Sequence, residues 1–183
     1  MRKTTPRRLA PRGVFLYRLR QACAAFCLLI AGSGMAAELK AANGATAKPL
    51  ALKTLDGAVH DLAQYRGKVV LVNFWATWCE PCRDEMPSIA RLKEKFAGQP
   101  FEVLAVNVDE PEARVRAFLE KTPLQLTVVL DPGKSVTKNW NARILPASYV
   151  IGRDGRVHFN AVGELNWGDD SVVKRIEALL RNR

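Results

Sequence analysis

Val69-Val70-Leu71-Val72-Asn73-Phe74-Trp75-Ala76-Thr77-Trp78-Cys79-Glu80-Pro81-Cys82 decides how this chain folds. Its first seven residues are apolar except for Asn73, with no alternation, as in a parallel strand covered on both faces. Beyond Cys79, the residues Met86, Ile89, Leu92 and Phe96 recur at helical spacing and predict a helix over 79–96. Glu80, Asp84 and Glu85 lie early in it and Arg91, Lys93 and Lys95 late, which suits the helix dipole. The two cysteines therefore fall where a parallel strand ends and a helix begins, the usual place for a site in an open α/β sheet.

Two thiols separated by two residues at a helix start are the sequence form of a thiol–disulfide exchange pair. Unsatisfied N–H groups there stabilise a thiolate, bringing a cysteine from about 8.5 to about 7 or lower. Cys79 is expected to be the exposed nucleophile, and Cys82, one turn in, the buried resolving thiol. Such a change raises the thiolate fraction at neutral pH roughly 16-fold. Nucleophilicity falls with acidity at a slope of ~0.4–0.5, which takes back a factor of about 5. The net gain is about threefold, so most of the rate must come from docking a partner disulfide in line with Cys79. Trp78 borders the nucleophile and is expected to form its apolar rim. Glu80 acts in the opposite sense to the helix start. A carboxylate about 6 Å from a thiolate costs on the order of 0.7 kcal/mol in a water-like medium, which favours a reductant.

The 183 residues carry a net charge of +10, a value that invites a nucleic-acid or membrane partner. The distribution argues against nucleic acid. Arg2, Lys3, Arg7, Arg8, Arg12, Arg18 and Arg20 precede residue 37 with no acid among them, which leaves +3 for the rest. This basic run leads into an apolar stretch over 22–31, and Gly34-Met35-Ala36 offers small residues for a cleavage site. We read residues 1–36 as an export signal cut after Ala36. The rival is an uncleaved membrane anchor, but a spanning helix needs about 20 apolar residues, more than this stretch holds.

Two of the four cysteines, Cys23 and Cys27, lie in that leader. The remainder keeps only Cys79 and Cys82, a loop too small to gain much as a structural staple. A structural zinc site needs about four ligands, and only His60 and His158 remain to supply imidazole. We therefore expect no metal, and no cofactor beyond a redox-active Cys79–Cys82 disulfide. Trp75, Trp140 and Trp167 are expected to pack.

Residues 37–48 are Ala-, Asn- and Gly-rich and read as a linker, which leaves 49–183 as one domain. Runs over 49–55 and 59–62 flank Asp56-Gly57 and predict a hairpin. Strands are expected over 101–108, 126–130, 148–151 and 157–162, the last two joined around Asp154-Gly155. Helices are expected over 112–121, 135–140 and 169–180, and Pro87 is expected to kink the first helix. The class is α/β, with a mixed central sheet covered on both faces.

Three segments carry a resemblance to the thioredoxin superfamily, specifically to the TlpA/ResA/DsbE-like membrane-facing disulfide reductases. They are residues 70–83, then Val106-Asn107-Val108-Asp109-Glu110, then Leu145-Pro146 with the strand and Asp154-Gly155 after it. The resemblance covers Pro49 to the C-terminus. It implies a thioredoxin fold with an N-terminal β-hairpin and an added strand and helix between Glu110 and Lys138. It implies a cis peptide before Pro146, and a substrate groove lined by Leu145 and Pro146 beside Trp78. Thioredoxin's buried aspartate and lysine fall at Asn73 and Ala105, so that proton relay is missing, and Glu110 resembles a subfamily glutamate that could replace it. The implied protein is a periplasmic monomer, soluble or anchored to the inner membrane. It would take electrons from a membrane thiol–disulfide donor and reduce exported proteins such as apocytochrome c or oxidase-assembly factors. Two rivals share the fold. A peroxiredoxin-like peroxide reductase calls for a threonine-and-proline setting before one cysteine, and a copper-binding assembly module calls for a histidine ligand.

Overall fold

Strand β4 (Val69–Trp75) is buried at all seven positions, as its unbroken apolar run requires. The computed structural model describes residues 37–182, so the export-signal reading of residues 1–36 lies outside the described residues. Around β4 run β1 (Lys40–Ala41), β2 (Ala51–Lys53), β3 (Val59–Asp61), β5 (Phe101–Val108), β6 (Thr127–Asp131), β7 (Ala147–Ile151) and β8 (Val157–Val162). They form one eight-stranded sheet in the order β1-β8-β7-β4-β5-β6-β2-β3. The β4–β5 and β5–β6 pairs are parallel and the others antiparallel.

The helices are α1 (Glu80–Lys95), α2 (Glu112–Lys121), α3 (Ser135–Asn139) and α4 (Asp170–Arg181). On one face of the sheet, Leu71, Val103, Val150 and Ala161 pack against Ile89 and Leu92 of α1 and Ile176 and Leu179 of α4. On the other face, Val70, Val72, Phe74, Leu104 and Val106 lie under Leu50, Trp140 and Ala142. Pro87 sits inside α1, whose 16 residues continue past it to Lys95. The added α2–β6 unit extends the sheet. β6 pairs with β5 on one side and, at Lys53↔Leu130, with β2 on the other, so the β2–β3 hairpin depends on it.

The linker reading of 37–48 is corrected. β1 lies along β8, with Lys40 opposite Asn160 and Ala41 opposite Phe159. The Ala37 amide donates to Glu164 O (3.1 Å), Ala42 N to His158 O (2.8 Å) and Ala47 N to Gly155 O (3.0 Å). Leu39 is buried in the core between β8 and α4. An edge strand held by backbone hydrogen bonds leaves almost no side-chain pattern, and Leu39 is the one large apolar residue in the segment.

Replacing Leu39 by Ala should cost about 2–5 kcal/mol, as for a buried leucine in a folded domain. Urea unfolding of the full chain checks this. A change within about 0.5 kcal/mol would return the segment to linker status.

Candidate active site

The site is built on the junction between β4 and α1. Cys79 is the N-cap residue of α1, with extended backbone (φ −85°, ψ 103°) and no side-chain capping bond. Its sulfur therefore sits at the helix N-terminus, where the first N–H groups of the helix lack intrahelical partners, without a hydrogen bond to them in the oxidised form. Pro81, in the first turn, contributes no N–H, and the Arg83 amide already bonds Cys79 O (3.2 Å). The amides of Glu80 and Cys82 remain for a thiolate at this cap. Glu80 is the first helical residue and is exposed.

Cys79 and Cys82 are joined by a disulfide, with their Cα atoms 5.3 Å apart. Cys82 is fully enclosed and Cys79 is 6 % exposed, the order expected of resolving thiol and nucleophile. Both sit in an apolar cluster with Trp75, Met86, Ala105 and Val115, and Phe118 packs against it. Leu145 packs against the same cluster. The Leu145–Pro146 peptide is cis, Pro146 is buried, and its carbonyl accepts from Gly163 N (2.9 Å). Two large apolar side chains next to these residues in the chain stand in solvent: Trp78, before Cys79, at 63 % and Ile144, before Leu145, at 65 % exposure.

Sequence reasoning missed one functional candidate. By position Glu85 reads, with Glu80 and Asp84, as an early-helix acid, yet it is 2 % exposed. Its Oε1 accepts from Asn73 Nδ2 (2.6 Å) and its Oε2 from the Leu165 amide (3.1 Å). Asn73 Nδ2 also donates to Ser148 Oγ (2.9 Å). Ser88 Oγ donates to Glu85 O (2.7 Å) and accepts from the Trp167 amide (3.1 Å). Burial is the main cause that lifts the Glu85 carboxyl to about 7, outweighing the donors that would lower it. A signal was present in the sequence: positions 82, 85, 86 and 89 share one helix face, and a carboxylate on that apolar stripe is out of place.

The other expected residues fall as follows. Glu110, just past β5, accepts from Thr77 N (2.7 Å), Thr77 Oγ1 (2.5 Å) and Asn107 Nδ2 (2.8 Å), which ties it to the loop before Cys79. His60 bonds Tyr65 Oη (2.5 Å), and His158 pairs with Asp154 (3.1 Å) at the far end of the sheet strands. Among the described residues, no three His, Cys, Asp or Glu side chains cluster as a metal site. Trp75, Trp140 and Trp167 are packed in the core.

Residues 43–160 match the family model described as AhpC/TSA family. The chain belongs to the AhpC/TSA family. Within it, the chain is 37 % identical over 138 residues to a thiol-disulfide oxidoreductase ResA of Geobacillus thermodenitrificans, covering 75 % of this chain and 78 % of that one. It is 36 % identical over 126 residues to the thioredoxin-like protein YneN of Bacillus subtilis, covering 67 % and 73 %. A crystal structure of a putative thiol:disulfide interchange protein DsbE from Chlorobium tepidum superposes with a TM-score of 0.70 at 31 % identity, covering 78 % of this chain and 99 % of that one. The protein is thus a thioredoxin-fold thiol–disulfide oxidoreductase whose active-site disulfide is Cys79–Cys82.

The unfolded chain ionises Glu85 near its ordinary 4.5, while the folded protein keeps the proton up to about 7. Between those pH values the folded state binds the extra proton, so this group lowers stability as pH rises, by up to roughly 3 kcal/mol. Glu85→Gln should therefore gain stability relative to the parent on going from about pH 4 to about pH 8, by roughly that amount. Urea unfolding of the oxidised protein at both pH values checks this. A difference that stays flat would place the titration elsewhere.

Proposed function

We propose that this protein is an exported reductase of protein disulfides, supplied with electrons by a membrane thiol–disulfide donor. The observation that carries the reading is a buried sulfur pair with exposed Trp78 next to Cys79 in the chain and with Leu145, the neighbour of exposed Ile144, packed against the same cluster. That arrangement suits an extended polypeptide laid over the site. The leader read in residues 1–36 supports an extracytoplasmic location. The relatives named thiol-disulfide oxidoreductase support the chemistry.

The reaction follows from the two burial states. Cys79 thiolate attacks one sulfur of the partner disulfide, and the other partner sulfur leaves as a thiolate that takes a proton. Cys82 then gives up its proton and attacks Cys79, which releases the second partner sulfur. Two electrons pass to the partner and the Cys79–Cys82 disulfide closes. Cys82 is fully enclosed, so its proton needs an acceptor within the protein. Glu85 lies one turn further along α1, about 5–6 Å away between Cβ atoms. A carboxyl held near 7 suits the task at neutral pH. We assign Glu85 this role.

Glu80 beside the nucleophile opposes thiolate formation, which favours electron donation over disulfide formation. The resemblance to the TlpA/ResA/DsbE-like reductases points to the Cys-x-x-Cys-His disulfide of apocytochrome c, or cysteines of oxidase assembly, as the partner. Equilibration of the full chain in thiol–disulfide buffers tests the direction. A midpoint well below about −200 mV is expected, and one near −120 mV would make the protein an oxidant.

A further inference from the structure

We propose that Glu110 is a positioning residue: acting through Thr77, it fixes the segment that presents Trp78 and Cys79 to a partner disulfide. The inference rests on exchange at Cys79 and on the docked-partner reading above.

The polar atoms of Thr77 are all engaged. Its amide and its hydroxyl both donate to Glu110, and its carbonyl accepts from Arg83 Nη1 (3.0 Å). Cys79 N then closes a turn onto Ala76 O (3.2 Å). The loop between β4 and α1 is thus gripped from the end of β5 on one side and from the first turn of α1 on the other. Trp78, between these anchors, has no buried side chain of its own to locate it. Its orientation is inherited from Thr77 and Cys79.

The placement of Glu110 is itself prepared. Asp109 has a left-handed backbone (φ 55°), a conformation that aspartate tolerates better than most residues. Its amide donates to Asp131 O (3.2 Å), its Oδ1 accepts from Gly133 N (2.8 Å), and Lys134 Nζ lies 3.5 Å from Oδ2. This turn folds the chain back so that Glu110 meets the β4–α1 loop. Asn107, on β5, supplies the third donor (2.8 Å). A carboxylate has about four acceptor sites, and three are occupied by this chain's own donors. Glu110 is therefore engaged as an anchor.

The sign of its charge separates positioning from electrostatics. A carboxylate near Cys79 opposes the thiolate, so Glu110→Gln acting through charge alone would raise thiol reactivity. Acting through position, it lowers reduction of a docked partner. Thr77→Val sharpens the comparison, because it removes the hydroxyl bond and leaves the charge in place.

The experiment uses the full chain and its Glu110→Gln, Thr77→Val and double variants. Amide hydrogen exchange is measured over residues 76–79 in the oxidised form. In the reduced form, rates are measured on a Cys-x-x-Cys-His peptide disulfide and on the small disulfide of dithionitrobenzoate across pH. Each single variant should speed exchange and slow peptide reduction about tenfold, the loss of one charge-assisted hydrogen bond. The double variant should be no worse than either single one. The small disulfide should react within about twofold of the parent with an unmoved pH profile in Thr77→Val, since it needs no docking. Parent-like exchange and peptide reduction in Thr77→Val overturn the proposal, as does an effect of Glu110→Gln confined to the pH profile. If the unaltered chain does not reduce the peptide but reacts with the small disulfide, the partner reading fails and the exchange rates alone decide this one.

Discussion

The constraint on which the rest depends is the total burial of β4 up to the residue where the chain must start a helix. Its register is held because a shift of one residue would move every side chain to the other face and take buried Asn73 away from Glu85 and Ser148. β4 is locked on both sides, with Val72 opposite Leu104 on β5 and Tyr149 on β7. Its end is therefore fixed in space, and the first turn of α1 starts from that fixed point. Cys79 becomes the helix cap by register, and Cys82 is carried inward onto the apolar face by the helical period. The slight exposure of Cys79 and the full enclosure of Cys82 follow from backbone geometry before any side chain tunes the chemistry.

Two carboxylates then divide the work around that junction. Glu110 sits at the half-buried upper side, where three donors from Thr77 and Asn107 hold it. Glu85 sits beneath, in a polar network threaded through the core by Asn73, Ser88 and Ser148. The difference in environment sets the difference in chemistry. Burial makes ionisation of Glu85 costly and brings its titration toward neutrality. The same network ties α1 to the loop ahead of α4, through the amides of Leu165 and Trp167. Proton handling and the packing of the active-site helix thus share one set of bonds.

Much of this was legible in the residues. The apolar run of β4, the stripe on α1, the Asp-Gly turns and the amphipathic pattern of α4 each placed an element where the structure has it. The Cys-x-x-Cys spacing located the redox pair, while the cis peptide before Pro146 came from the resemblance to the thioredoxin superfamily and not from the residues themselves. What stayed hidden has specific causes. Residues 37–48 join the sheet by backbone bonds, which composition does not record. Glu85 occupies a stripe position, but its carboxyl also fits the dipole argument for an early-helix acid, and only tertiary burial separates the two. The partners of Glu110 depend on a left-handed turn at Asp109 held by Asp131 and Gly133, a three-dimensional closure that linear spacing does not reveal.

The central claim is that one sulfur is reachable and activated at the helix cap while the other is sheltered beneath it. The direct measurement is the rate of iodoacetamide alkylation of each cysteine in the reduced chain as a function of pH, resolved by peptide mass. The account predicts that Cys79 is modified at least about tenfold faster than Cys82 near neutral pH and faster than a free cysteine, whose thiolate fraction there is only a few per cent. Equal rates at the two sulfurs, or faster modification of Cys82, would contradict it.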